Sequence, residues 1–79
     1  MSNLLELYTK SDCPICKQAK SILDNNKILY WEYEIGHNIS REEVLQRFPT
    51  AKVVPVIVFN GQVMAGVPEL ERLVEQRIL

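Results

Sequence analysis

Residues 3–26 read NLLELYTKSDCPICKQAKSILDNN and contain both cysteines of the 79-residue chain. The first seven of these residues mix apolar and β-favouring side chains, which predicts a buried strand over residues 3–9. From Pro14, a residue suited to the first position of a helix, apolar side chains recur at helical spacing as far as Asn25-Asn26. The apolar positions of this helix are Ile15, Ala19, Ile22 and Leu23. The cysteine pair therefore lies where a predicted strand passes into a predicted helix.

A second strand and a second helix are predicted in the middle of the chain. Residues 29–35, LYWEYEI, alternate between apolar and polar side chains, which is typical of a strand with one buried face. Trp31 belongs to the apolar set, so we expect it in the core. Ser40 followed by Glu43 matches a capping box and predicts a short helix that ends before Pro49.

The C-terminal part of the chain predicts a hairpin and a last helix. Within residues 55–65, Asn60-Gly61 separates two apolar runs, which is the strongest short-range signal for a β-hairpin. Apolar residues at helical spacing over residues 67–78 predict the last helix. The element order βαβαββα predicts an α/β fold in which a four-stranded mixed β-sheet is flanked by three helices. Strands separated by helices favour parallel pairing, and the hairpin adds an antiparallel pair.

Composition and charge are those of one compact domain over residues 1–79. The chain has 47% hydrophobic and 24% charged residues, and its formal net charge is -1. This charge gives no bulk attraction to nucleic acid or to anionic membranes, so we expect neither as a partner. We also expect a monomer. The N-terminus has neither a basic leader nor a long apolar run. We therefore expect a cytoplasmic protein without a signal peptide or a membrane span.

Two cysteines separated by two residues can close a structural disulfide, bind a metal or exchange disulfides. The reducing buffers of the expected compartment disfavour a structural disulfide. Zinc usually takes four ligands, and beside the two thiols this sequence offers one histidine, His37, so a complete site would need carboxylates or a second protomer. The position between a strand and a helix favours redox chemistry, and a metal-binding module is the alternative of another class.

The two thiols are predicted to have different roles. Cys13 lies at the N-terminus of the predicted helix, where unpaired N–H groups and the helix dipole favour its thiolate form. Cys16, one turn inward, is expected to be more buried and less ionised. Cys13 should therefore attack a substrate disulfide, and Cys16 should then attack the mixed disulfide and release the reduced product.

Polar residues near the pair modify this prediction. Ser11 or Asp12 can cap the helix. Lys10 and Lys17 would stabilise the first thiolate, and the adjacent carboxylate of Asp12 would oppose it. For Lys17 and Lys20 we otherwise expect solvated surface positions.

Three further side chains are assigned from their pattern alone. Tyr8 belongs either to the core or to a wall of the site. His37 lies in the predicted loop GHN, where we expect a surface residue rather than a catalytic base, since disulfide exchange does not require one. Met64 is expected to pack in the core.

The chain resembles the glutaredoxins of the thioredoxin superfamily over essentially its whole length. Cys13-Pro14-Ile15-Cys16 is similar to the glutaredoxin CPYC motif, Val53-Val54-Pro55 to the Thr-Val-Pro segment, and Ala65-Gly66 to the Gly-Gly turn. The resemblance implies a thioredoxin-like fold and a dithiol-disulfide oxidoreductase with no tightly bound cofactor. It also implies glutathione as co-substrate and disulfide-containing proteins as partners.

The resemblance further implies roles for single residues. Pro55 would be a cis-proline against the cysteine pair, and Val54 would pair with the main chain of glutathione. The implied glutathione contacts are Lys10, Val54, Gly66 and Val67. Gln18 and Lys52 are weaker candidates for the same ligand.

Two positions depart from the glutaredoxin pattern. Pro68 stands where the family usually has an Asp that receives the glutathione amino group, so that contact is lost unless Glu69 replaces it. Ala65 replaces the first glycine of the Gly-Gly turn. These departures imply weak or selective glutathione binding.

Several alternatives therefore stay open. The chain also resembles the glutaredoxin-like electron donors of ribonucleotide reductase, which thioredoxin reductase reduces, although Gly66 alone matches their aromatic-Ser-Gly-Phe-Arg-Pro signature. A related variant would bind an iron-sulfur cluster between two protomers. A redox-inert adaptor that binds through the Val54 edge is the third possibility.

Overall fold

The computed structural model describes residues 4–51 and 53–78. Its elements follow the predicted order βαβαββα, which confirms the α/β architecture with four strands and three helices. The strands are β1 (Leu5–Thr9), β2 (Trp31–Glu34), β3 (Val56–Phe59) and β4 (Gln62–Val63). The helices are α1 (Pro14–Asn25), α2 (Arg41–Arg47) and α3 (Val67–Glu75).

Several element boundaries differ from the prediction, and β4 ends at Val63 rather than at residue 65. β1 begins at Leu5, and the predicted first strand residue, Asn3, lies outside the described residues. β2 is shorter than residues 29–35. α3 ends before Ile78 because Arg77 adopts a positive φ of 58°, which turns the chain out of the helix.

The four strands form one mixed sheet in the order β2-β1-β3-β4. β1 and β2 pair in parallel, whereas β1 and β3 pair antiparallel with Tyr8 opposite Val56. The prediction that strands joined by a helix pair in parallel is correct for β1 and β2, which α1 joins. It is wrong for β2 and β3, which α2 joins, because they are not neighbours and β3 begins at the end of the sheet where β2 ends. As a result, the residues that precede β3 lie at the same end of the sheet as the residues that follow β1.

Apolar side chains cover both faces of the sheet. One cluster joins β1 and β3 to α1 and α3, and its buried members are Leu5, Leu7, Ala19, Leu23, Ile57, Val67 and Leu70. The cluster on the opposite face joins the sheet to α2, and its buried members are Tyr8, Ile39, Val44, Val56 and Val58. None of the described helices is long and apolar enough to cross a membrane.

The prediction that Trp31 belongs to the core is wrong. Trp31 is 63% exposed, and Leu29, in the same alternating set, is 91% exposed. Their neighbours Tyr33 and Ile35 do pack against the cluster on the α2 face. The difference arises because β2 is an edge strand and α2, with seven residues, covers only part of that face.

The predicted capping box at Ser40 is confirmed. The Ser40 hydroxyl accepts a hydrogen bond from the Glu43 backbone N–H at 3.1 Å, and the Glu43 carboxylate accepts one from the Ser40 backbone N–H at 3.3 Å. Two helix-terminal donors are thereby satisfied at the start of α2.

Replacing Ser40 with alanine should therefore lower the free energy of unfolding by about 1 kcal/mol, because the Glu43 N–H loses its acceptor. Urea unfolding followed by circular dichroism measures this change. Ser11→Ala is a matched control at an exposed residue that does not cap a helix, and its change should stay within about 0.5 kcal/mol. Equal losses in the two variants would contradict the capping role.

Candidate active site

The cysteine pair lies where β1 passes into α1. Cys13 is the residue before the helix, and Cys16 belongs to its first turn. Their Cα atoms are 5.2 Å apart and their sulfurs form a disulfide, so the structure shows the oxidised form. Cys16 is 1% exposed, whereas Cys13 is partly exposed. The expected difference in burial is thus present, and an incoming disulfide can reach Cys13 first.

Cys13, rather than Ser11 or Asp12, is the N-cap of α1. Its Sγ accepts a hydrogen bond from the Cys16 backbone N–H at 3.1 Å. The prediction for Ser11 and Asp12 is wrong because Pro14 is the first helical residue, so only the residue directly before it can occupy the cap position. A sulfur held in this position accepts a first-turn helix N–H, which stabilises negative charge on it.

Lys20 is part of an ion pair rather than a freely solvated side chain. Its Nζ lies 3.0 Å from Glu32 Oε2, and both side chains are about one third exposed. The same oxygen accepts a hydrogen bond at 3.0 Å from the hydroxyl of Thr9, a residue that is 1% exposed. These contacts tie α1 and β2 to the end of β1, directly before the active-site loop. Lys17, in contrast, is exposed as expected.

A groove of about 590 Å³ lies beside the cysteine pair and separates the start of α1 from the start of α3. The residues that precede β3 form one of its walls, and the Val54–Pro55 peptide bond in that wall is cis. The groove brings together several positions that the sequence singled out, namely Val54, Pro55, Met64, Gly66, Val67, Pro68 and Glu69. Most of the implied glutathione contacts therefore lie around one concave surface.

Lys10 lies in a second, smaller groove of about 290 Å³ on the other side of Val54. Arg41, the first residue of α2, contributes a second positive charge there. Gln18 is exposed and lines neither groove, and Lys52 lies outside the described residues. Val53 and Val54 line both grooves and form a ridge between them.

The start of α3 closes one end of the larger groove. Gly66 is its N-cap, and its φ of 139° is a conformation that favours glycine. Pro68 has no backbone N–H to offer. The Glu69 carboxylate accepts a hydrogen bond from the Ala65 backbone N–H at 2.9 Å and lies 3.6 Å from the Arg72 guanidinium. The Ala65 N–H, directly before the N-cap, is therefore paired with a carboxylate of the chain itself, while α3 has no side-chain cap.

Tyr8 is a core residue and not a wall of the site. It is 0% exposed, and its ring stacks on Tyr33 at 5.0 Å and meets Phe48 edge-on at 5.5 Å. Burial raises the pKa of Tyr8 above its ordinary value, and the Arg47 guanidinium acts in the opposite direction. The side chain is consequently a neutral phenol at physiological pH.

The remaining candidates have structural positions. His37 is a surface residue as expected, and its Nε2 lies 3.4 Å from Glu34 Oε2. Met64 packs against the α1 and α3 cluster, which confirms its prediction, and also reaches the groove. Across residues 4–51 and 53–78, no group of three or more His, Cys, Asp or Glu side chains is placed to hold a metal ion.

Sequence reasoning missed several residues of the two grooves, among them Ile15, Val63 and Arg41. Ile15 belongs to the apolar pattern of α1, yet it is 54% exposed and lines the larger groove. Val63 lines the same groove, and Arg41 lines the smaller one. The proximity of Ile15 to the CPIC cysteines was a usable signal, whereas Arg41 and Val63 approach the site only through the fold.

Sequence comparisons show which known proteins this chain resembles. The profile of the glutaredoxin family matches residues 5–64. Glutaredoxin 3 of Escherichia coli strain K12 is 32% identical over 73 residues, which cover 92% of this chain and 87% of that protein.

Solved structures show the same fold. The thioredoxin-like protein BC3987 superposes with a TM-score of 0.74 at 30% identity, over 87% of this chain and 97% of that one. A buckwheat glutaredoxin in complex with glutathione superposes with a TM-score of 0.72 over 94% of this chain and 70% of that one, and at 19% identity it shows the fold alone. The thioredoxin-like fold is thereby confirmed, and the family match favours disulfide exchange over the metal module and the adaptor. With its cysteine pair at the start of α1, the chain belongs to the glutaredoxin family and is a dithiol-disulfide oxidoreductase.

Proposed function

We propose that the protein reduces protein disulfides and glutathione mixed disulfides, and that glutathione is its reductant. In the first step the Cys13 thiolate attacks one substrate sulfur, the substrate S–S bond breaks, and the leaving thiolate takes up a proton. In the second step the Cys16 thiolate attacks Cys13 Sγ and releases the other substrate sulfur as a thiolate. Two electrons pass from the dithiol to the substrate, and two glutathione molecules return them to the Cys13–Cys16 disulfide as they become oxidised glutathione.

The difference in exposure between the two thiols is the observation that carries this assignment. A substrate disulfide can reach the partly exposed Cys13, whereas Cys16 is buried beneath it. The Cys16 backbone N–H points at Cys13 Sγ and supports a thiolate there. Once a mixed disulfide forms on Cys13, Cys16 is near enough to attack it, since the two Cα atoms are only 5.2 Å apart.

Glutathione would bind along the ridge next to the pair. In this proposal the main chain of Val54 pairs with the peptide, Pro55 lies against the cysteines, and Gly66 and Val67 contact the ligand at the start of α3. Lys10 would meet a carboxylate from the smaller groove. The positions of these residues around the two grooves support the proposal, as does the bound glutathione of the buckwheat relative.

A second candidate is an electron donor to ribonucleotide reductase that thioredoxin reductase reduces. The start of α3 favours this candidate, because Pro68 offers no N–H and Glu69 already accepts the Ala65 N–H. A glutathione carboxylate finds fewer free donors there. Glutathione would then be a poor reductant, and a protein reductase would replace it.

The proposal also concerns the setting in which the protein acts. We propose that residues 1–79 act as one domain, as a monomer, in the reducing cytoplasm. The single sheet shared by all described strands supports the first point. The proposed chemistry is consistent with the reducing cytoplasm, because glutathione there can keep the cysteine pair in its dithiol form.

Equilibration in graded mixtures of reduced and oxidised glutathione tests the proposed reductant. Thiols are trapped by alkylation, and the products are weighed by mass spectrometry. We expect one two-electron transition with a reduction potential of roughly -200 to -230 mV. A disulfide that forms but does not respond to glutathione would favour the donor reduced by thioredoxin reductase. A pair that never oxidises would contradict both candidates.

A further inference from the structure

Exposed apolar side chains gather beside the active site. Seven large hydrophobic residues are exposed in the described part of the chain, and three of them, Ile15, Val53 and Val63, line the larger groove. They are 54%, 78% and 39% exposed, respectively. Ile15 lies between the two cysteines in sequence and lines the groove, so this apolar surface begins next to the reacting thiol. A substrate bound at Cys13 can therefore contact this surface.

The ridge beside this surface has free backbone groups. Among the described residues, none forms a backbone hydrogen bond with Val54. Its N–H and C=O can therefore pair with the main chain of an extended ligand, as an added strand does. Backbone pairing of this kind requires a polypeptide segment and places its side chains alternately toward and away from the groove.

The far end of the groove carries a negative charge. The Ala65 N–H is occupied by the Glu69 carboxylate at 2.9 Å, and Pro68 contributes no N–H at the second helical position. Glu69 is the one charged side chain among the described residues that line this groove. A ligand carboxylate at this end would meet the like charge of Glu69.

We propose that the groove selects extended segments of disulfide-bonded proteins in which uncharged apolar side chains flank the reacting cysteine, in preference to glutathione. This inference rests on the proposed function, since it needs Cys13 as the attacking thiol. The chemistry is the same exchange, in which Cys13 forms a disulfide with the substrate sulfur and the displaced thiolate leaves with its electron pair. The apolar groove raises the rate by holding the substrate cysteine near Cys13.

Three mixed disulfides with one common leaving group test this selectivity. Each carries the same coloured aromatic thiol, joined to glutathione, to an end-capped peptide with valines on both sides of its cysteine, or to the matching peptide with serines. The Cys16→Ser variant isolates the attack by Cys13, and absorbance follows the release of the coloured thiolate. We expect the valine peptide to react about tenfold faster than the serine peptide. It should also react faster than glutathione.

Variants of the groove show where any preference arises. Ile15→Ser and Val53→Ser, each made in the Cys16→Ser background, should reduce the ratio of the valine rate to the serine rate several-fold. Both side chains are largely exposed, so these variants are expected to fold. Leu29→Ser is the matched control, because Leu29 is 91% exposed and lines neither groove. Its ratio should equal that of the parent.

The possible results separate this inference from the proposed function. Equal rates for the two peptides, or a ratio that Ile15→Ser and Val53→Ser leave unchanged, would overturn the inference. So would a fastest reaction with the glutathione compound, which would nevertheless agree with the proposed function. If none of the three compounds reacts, the role of Cys13 itself is contradicted, and the inference fails with it.

Discussion

Replacing Cys13 with serine is expected to lower the rate of disulfide reduction on the order of 10³-fold or more, because a serine hydroxyl stays protonated and does not attack sulfur. Cys13 is the partly exposed thiol at the start of α1, and its sulfur accepts the Cys16 N–H. No other cysteine can replace it at the surface, since Cys16 is 1% exposed. Reduction of hydroxyethyl disulfide in the presence of glutathione, glutathione reductase and NADPH measures the rate.

The Cys16→Ser variant is the matched control for this prediction. It keeps the attacking thiol and loses the resolving one, so a mixed disulfide on Cys13 should accumulate and be visible by mass spectrometry. Wild-type turnover by Cys13→Ser would contradict the assignment. A mixed disulfide found on Cys16 of the Cys13→Ser variant would also contradict it, because it would show that the two roles are reversed.

Replacing Leu70 with alanine is expected to lower the free energy of unfolding by about 2 to 5 kcal/mol. Leu70 is 0% exposed and belongs to the cluster that holds α1 and α3 against the sheet. The total stability of a small domain is only about 5 to 15 kcal/mol, so this loss is a large fraction of it. The midpoint of thermal unfolding should fall by roughly 8 to 40 °C, since each kcal/mol corresponds to about 4 to 8 °C at this size.

Leu29→Ala makes the same chemical change at a residue that is 91% exposed. Its free energy of unfolding should change by no more than about 0.5 kcal/mol. Thermal and urea unfolding followed by circular dichroism measure both variants. If Leu70→Ala were as stable as Leu29→Ala, the packing of α3 against the sheet would be wrong. The start of α3 lines the groove, so that result would also question the shape of the site.

Local signals in the sequence predicted the elements with few errors. Pro14 begins α1, the Ser40 and Glu43 pair caps α2, and Asn60-Gly61 joins β3 to β4. Each of these signals acts through backbone geometry or hydrogen bonds within a few residues, so it does not depend on the rest of the fold. The CPIC motif is local in the same sense, because the position of a thiol in the first helical turn follows from the sequence itself.

Errors arose where burial depends on distant residues. Trp31 has the pattern of a core residue, yet the short α2 leaves its part of the sheet uncovered. Lys20 has the pattern of a solvated lysine, yet the fold brings its Nζ to 3.0 Å from Glu32 Oε2 of β2. Periodicity shows which residues share a face, but the length and placement of the covering helix decide whether that face is buried.

The sequence by itself determined the element order, the capping of α2, the hairpin and the two thiols that exchange disulfides, since all of these follow from short-range chemistry. Only the tertiary structure decided which residues surround those thiols. The antiparallel entry of β3 brings Val53 and Val54 to the end of β1, and α3 closes the groove with Glu69. The apolar surface of Ile15, Val53 and Val63 therefore exists only in the folded chain, because it joins residues that are 38 and 10 positions apart in sequence.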